Sequence, residues 1–188
     1  MSAAKQKTQK YTYSDYCQWD DGARWELIEG IPYAMSPAPT RRHQKIASNL
    51  HGQVFNFLRG KTCEVYHAPF DVRLNADGDD DTVVQPDISV ICDRFKLDDQ
   101  GCIGAPDLII EILSPSTANK DRIKKFLLYQ KAGVKEYWIV DPETESVQVH
   151  LLNEKGQYVT FVYENENETT IPVNVLAGLE INLKEVFS

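Results

Sequence analysis

Apolar residues recur along the chain at two spacings. Between residues 40 and 59, Ile46, Leu50, Val54, Phe57 and Leu58 fall mostly three or four apart, which draws one apolar stripe down a helix, and Gly60 stops it. A second helix is predicted over 121–132 and ended by Gly133; Ile123, Phe126, Leu127 and Gln130 give it a less perfect stripe. Elsewhere the apolar positions alternate or bunch into short runs, the pattern of strands. Residues 24–36 read as a hairpin that turns at Glu29 and Gly30 and is stopped by Pro37 and Pro39. Residues 62–74 read as one strand bent at Pro69, with a solvated turn over 75–81. Two strands over 83–92 and 108–113 follow, joined by a polar loop, and then three more over 136–141, 147–152 and 158–163. A short helix capped by Thr12 or Ser14 opens the ordered chain, 165–170 is a polar turn, and 183–187 is a closing helical turn. This order predicts an α/β fold of the α+β mixed kind, a central mixed sheet flanked by helices. Residues 1–10, polar and basic, are expected to be a disordered arm, and 11–188 a single domain.

Two of the predicted strands each carry one acid where an apolar residue would pack better: Asp87 in 83–92, and Glu111 between Ile110 and Ile112. A carboxylate in an apolar run loses its water and is costly unless something pairs with it. Two of them on neighbouring strands repel unless a cation lies between them or one takes up a proton. A divalent metal would satisfy both; so would separate salt bridges to Arg or Lys, or a place at an exposed strand end. Glu26 alternates with Trp25 and Leu27, so the pattern alone turns it toward solvent. The first long helix begins with Arg41, Arg42, His43 and Lys45, cations at the end that the helix dipole disfavours. That mismatch suits an anionic partner, and equally a plain solvated face.

Composition narrows the function classes. A net charge of -8 argues against broad adhesion to nucleic acid, which needs basic surface to displace counterions, but leaves room for a local basic groove. Cys17, Cys63, Cys92 and Cys102 form no C-x-x-C pair, so neither a zinc ribbon nor a disulfide framework is signalled and reduced thiols are expected. No apolar run approaches the roughly 20 residues that span a membrane, and the first residues lack the apolar segment of a signal peptide, so a cytoplasmic protein with no membrane partner is expected. The acid run at 75–81 lacks the spacing of a calcium loop.

Several segments together resemble the Uma2 family, within the PD-(D/E)XK nuclease superfamily. They are WELIEG at 25–30, HQKIASNL from His43, QPDISVI at 85–91, IIEILSPST at 109–117, the D-x-x-x-K-x-x-x-Y run of Asp121, Lys125 and Tyr129, and AGVKEYWIVDP at 132–142. The resemblance implies a restriction-endonuclease-like fold and a metal-dependent endonuclease acting on DNA. It implies that Asp87, Glu111 and Glu26 bind Mg²⁺, with Mn²⁺ as a substitute, and that the ion activates a water. The superfamily motif ends in a lysine two residues after its second acid, but here Leu113 stands in that place. The resemblance points to Lys125 as the replacement, with Lys120 and Lys124 as fallbacks; a simple Asp121–Lys125 pair is the competing reading. His43 matches the family's helix-start histidine and, with Arg42, is a candidate phosphate contact; a structural hydrogen bond is the other reading. Tyr129 is expected in the core. Cleaving both strands of a duplex commonly takes two sites, so a homodimer is expected. The missing motif lysine and the acidic balance leave one alternative, a nuclease fold without cleavage that serves as a binding or regulatory module.

Overall fold

The computed structural model describes residues 9–35, 38–76, 78–114, 120–166 and 169–188, with the side chains of 120–122 left aside; residues 1–8 of the expected arm lie outside the described residues. The elements in chain order are α1 (Tyr13–Tyr16), β1 (Trp25–Ile28), β2 (Ile31–Ala34), α2 (Arg41–Leu58), β3 (Glu64–His67), β4 (Asp71–Arg73), β5 (Val83–Val84) and β6 (Ile88–Ile91). A 3-10 turn at Arg94–Lys96 leads to β7 (Leu97–Asp98), β8 (Gly101–Ile103), β9 (Leu108–Ile112) and α3 (Lys120–Ala132). Then come β10 (Glu136–Asp141), β11 (Ser146–Leu152), β12 (Tyr158–Glu164), β13 (Thr170–Pro172), β14 (Glu180–Asn182) and α4 (Leu183–Phe187).

The mixed α+β class holds, but two six-stranded sheets take the place of one central sheet: β2-β1-β5-β4-β8-β7 and β12-β11-β10-β9-β6-β3, with β13 and β14 as a small third pair. The second sheet holds the middle of the molecule. Its strands alternate, so one face of β9 and β10 (Leu108, Ile110, Trp138, Val140) packs on Ile46, Leu50, Val54 and Leu58 of α2. The other face (Ile109, Tyr137, Ile139) packs on Tyr129 of α3, on Val134 just after it, and on Val72 and Val84 of the first sheet. β9 and β10 run parallel, joined by α3 as the crossover that parallel strands need.

Local signals explain most element ends. Thr12 and Asp15 form a reciprocal capping box on α1, and the Thr40 hydroxyl accepts from the His43 amide at the start of α2. Glu29 and Gly30 both take positive φ (51° and 79°), the mirror-image turn that matches the twist of the β1–β2 hairpin. Gly101 is required for space: a Cβ there would lie 2.1 Å from the Asp71 carbonyl oxygen.

Five expectations are corrected. The strand expected over 62–74 is two strands in different sheets, β3 and β4, divided at the cis Ala68–Pro69 peptide. The strand expected over 83–92 is likewise divided into β5 and β6, so Asp87 stands at the break between sheets and not in mid-strand. The polar loop before β9 contains the β7–β8 hairpin, whose strands are too short to show a period. The α3 stripe is not wholly internal: Ile123 and Leu127 are exposed while Tyr129 is buried. Cys63 and Cys92 form a disulfide, and Cys17 and Cys102 are the free thiols. The bonded pair lies one step beyond the antiparallel partners Glu64 and Ile91, a neighbourhood that a sequence separation of 29 conceals.

Candidate active site

Two strands, the break between β5 and β6, and two helices bring charge to a single place. Glu111 lies on the α3 face of β9, since its neighbours Ile110 and Ile112 belong to the α2 face. β6 and β9 pair antiparallel with Ile88 opposite Ile110, so one step further sets Asp87 opposite Glu111. The Asp87 Oδ2 accepts from the Ile112 amide at 2.7 Å, which ties the PD acid to the strand that carries the second acid. Glu26 comes from β1 in the other sheet.

Lys125 joins them. Its Nζ donates to Glu26 Oε1 and to Glu111 Oε1, both at 2.9 Å, and all three side chains are largely buried. Four residues on, one turn along the same helix face, the Tyr129 hydroxyl donates to the same Glu111 oxygen at 2.7 Å. Glu26 Oε1 also accepts from the Gln85 amide at 3.1 Å. His43 approaches from the start of α2: its Nε2 is 3.1 Å from the Ile112 carbonyl and 3.3 Å from Asp87 Oδ2. Its Nδ1 is buried without a partner among the described residues.

The electrostatics follow from burial and these neighbours. Burial pushes Glu111 up to about 7, the negative charges of Asp87 and Glu26 push the same way, and Lys125 and the Tyr129 hydroxyl oppose them. Burial also works against the Lys125 charge, but Glu111 and Glu26 outweigh it and hold its pKa above the usual lysine range. For His43 the loss of water is the largest influence and lowers its pKa; the Asp87 hydrogen bond and charge and the Ile112 carbonyl together overcome it, so the net direction is upward.

The donor set suits one kind of metal. Among the described residues, Asp87 Oδ1 and Glu111 Oε2 accept no hydrogen bond, so each acid keeps one hard oxygen free. Mg²⁺ is held by one or two carboxylates and keeps several waters, which matches this pair. Among the described residues no three His, Cys, Asp or Glu side chains are grouped to hold a metal ion, so the expected set of Asp87, Glu111 and Glu26 is reduced to the first two, and Glu26 Oε1 is taken up by Lys125.

The structure thus brings together Asp87, Glu111, Lys125, Glu26 and His43 and leaves Arg42 outside, paired with Glu145 at 2.9 Å. Glu26 is buried, against the solvent-facing position that alternation gave it, because its face of β1, shared with Ile28, packs against α3 and the second sheet. Lys124 is engaged by Tyr33, through the hydroxyl and across the ring, and the Lys120 and Asp121 side chains lie outside the described residues. Tyr129 is in the core as expected, yet its hydroxyl belongs to the site; its place four residues after Lys125 was the available signal.

The chain as a whole is similar to known proteins. The model of the Uma2 family, described as "Putative restriction endonuclease", matches residues 13–184. A protein of Synechocystis sp. (strain ATCC 27184 / PCC 6803 / Kazusa), "Uncharacterized protein slr1290", is 28% identical over 158 residues, 82% of this chain and 81% of that one. The crystal structure of "a putative nuclease belonging to DUF820" from Anabaena variabilis ATCC 29413 superposes with a TM-score of 0.75 at 25% identity, covering 94% of this chain and 97% of the other.

Proposed function

This chain belongs to the Uma2 family, and from that membership and the acids gathered on Lys125 we propose that it is a metal-dependent nuclease that hydrolyses phosphodiester bonds, with DNA as substrate. The observation that carries the reading is the position of Lys125. The strand that should supply a lysine two residues after Glu111 has Leu113 instead, and a helix delivers an ammonium group to Glu111 at 2.9 Å.

In this reading Asp87 and Glu111 hold Mg²⁺, which when bound supplies an acidic water and charge to offset that of the phosphate. Glu26 anchors Lys125, and Lys125 places positive charge where phosphoryl oxygens gain negative charge. Tyr129 fixes the rotamer of Glu111. His43 sits behind Asp87 and is only 8% exposed, so it orients that acid and does not reach out to substrate.

The test is cleavage of plasmid and linear DNA by the purified protein with Mg²⁺ or Mn²⁺, beside Asp87→Asn and Lys125→Met. Cleavage that needs the metal and falls by about 100-fold or more in each folded variant is the expected result. Metal-independent cleavage, or full activity in Asp87→Asn, overturns the assignment. No cleavage by a protein that still binds DNA establishes the non-cleaving binding module instead.

A further inference from the structure

The outer edges of the two large sheets are not alike. β2 is four residues long and contains Pro32, β7 has two residues, and β3 has four, with Glu64 paired to Arg94 at 3.2 Å. Short length, proline and charge are the devices that keep an open edge from pairing with another chain. β12 is neither short nor broken by proline, and its one charge stands at its end. It is seven residues long, Tyr158 to Glu164, uncharged until its last residue, and among the described residues it pairs only with β11. Both its faces are open in mid-strand: Val159 and Phe161 are each 45% exposed and Val162 57%.

Beside this edge runs α3. The Tyr158 amide donates to the Gln130 side chain at 2.8 Å, and the Phe126 ring meets the Tyr158 ring at 5.2 Å. The apolar stripe read from the sequence therefore divides. Phe126 and Gln130 are used against the sheet, while Ile123 and Leu127, on the same stripe, stand 69% and 55% exposed.

We infer that β12 and the exposed side of α3 form the interface of a homodimer, in which β12 pairs antiparallel with its own copy. The partner must offer an unpaired strand edge, and a second copy of this chain does so by construction, through one self-complementary patch. Charge favours the same choice. A chain of net charge -8 repels its copies, and β12 lets two of them meet along a strand whose one charge, Glu164, stands at its end. With the two-fold axis at Phe161, Tyr158 faces Glu164 of the partner, Val159 faces Tyr163 and Thr160 faces Val162; the inner pairs are aromatic or β-branched, and the two glutamates lie at opposite ends. An antiparallel edge contact has its axis perpendicular to the sheet, so both α3 helices fall on the same face. A stable interface buries about 800 Å² per partner, more than one strand edge offers, and Ile123 and Leu127 extend the apolar contact across the axis. The second sheet becomes twelve strands, six from each copy. This inference concerns assembly and does not rest on the nuclease reading.

Sedimentation of the full chain across about a hundredfold range of concentration tests it, with Val162→Lys and Leu127→Glu beside the wild type. A wild-type dimer, with association weakened at least tenfold in each variant at unchanged circular dichroism, is the expected result. Hydrogen exchange of the wild type at high and low concentration keeps the test decisive if a variant fails to fold: amides of 158–164 should be protected only at high concentration. A monomeric wild type, which includes the case where residues 1–8 of the same chain fill the edge, overturns the inference. So does a dimer that survives both substitutions, or protection of 158–164 that ignores dilution.

Discussion

Glu111 and Glu136 lie on adjacent parallel strands of one sheet, Glu111 opposite Ile139 and Glu136 opposite Leu108, but they point to opposite faces. Both are largely withdrawn from water, and burial raises the pKa of both. Their partners differ. Glu136 gives one oxygen to the Trp138 ring N–H at 2.8 Å and the other to the Val175 amide at 2.9 Å, neutral donors that use both oxygens. Glu111 gives one oxygen to Lys125 and Tyr129 and keeps the other free among the described residues, with two more acids close enough to raise its pKa. A buried acid therefore says little by itself. Spare acceptor capacity beside gathered charge separates a site from a structural hydrogen bond.

The largest expected effect divides the two acids by activity. Glu111→Gln should lower metal-dependent cleavage roughly 10³-fold, while Glu136→Gln leaves the rate per folded molecule within about twofold, since no donor of Glu136 touches the cluster. Equal losses in the two variants, normalised to folded protein, would erase the distinction. Next in size is stability: Lys125→Met leaves Glu26 and Glu111 without their cation and should cost about 3 kcal/mol in urea unfolding without metal. Mg²⁺ should restore part of that loss, and a variant as stable as the wild type would show that Lys125 compensates nothing.

The smallest effect is a pH dependence at Glu136. Its folded pKa is raised above the usual 4.5, so the folded state holds its proton longer than the unfolded state does. The stability it contributes is complete below about pH 4.5 and declines as the pH rises through the folded value. The stability of the wild type relative to Glu136→Gln should fall from acid to neutral pH and be indifferent to Mg²⁺. A flat difference across that range, or one that Mg²⁺ abolishes, would count against a purely structural Glu136.

Much of this contrast was legible in the sequence, and the gaps have physical causes. Asp87 and Glu111 stood out because an acid in an apolar run violates a period that burial enforces. Glu136 did not, because the first residue of a run such as EYWIVD reads as a strand end, and its partner Val175 is 39 residues away. Glu26 was misjudged by alternation because period two reports two faces and cannot say that a second sheet covers the outer one. The hairpin at Glu29 and Gly30 and the stops at Gly60 and Gly133 were plain, being set by local backbone geometry. The division of 62–74 and 83–92 between two sheets was not, because strand exchange depends on pairing partners far along the chain.

Those two divisions lie side by side. The Ala68 amide donates to the Asp87 carbonyl at 3.1 Å, so the chain's passage from β3 to β4 is fastened to its passage from β5 to β6. In mechanical terms two of the chain's crossings between the sheets are adjoining stitches, and one of these stitches is the residue whose side chain faces Glu111. Asp87 thus belongs to the seam itself, while Glu26 and Glu111 ride on the plates at either side of it.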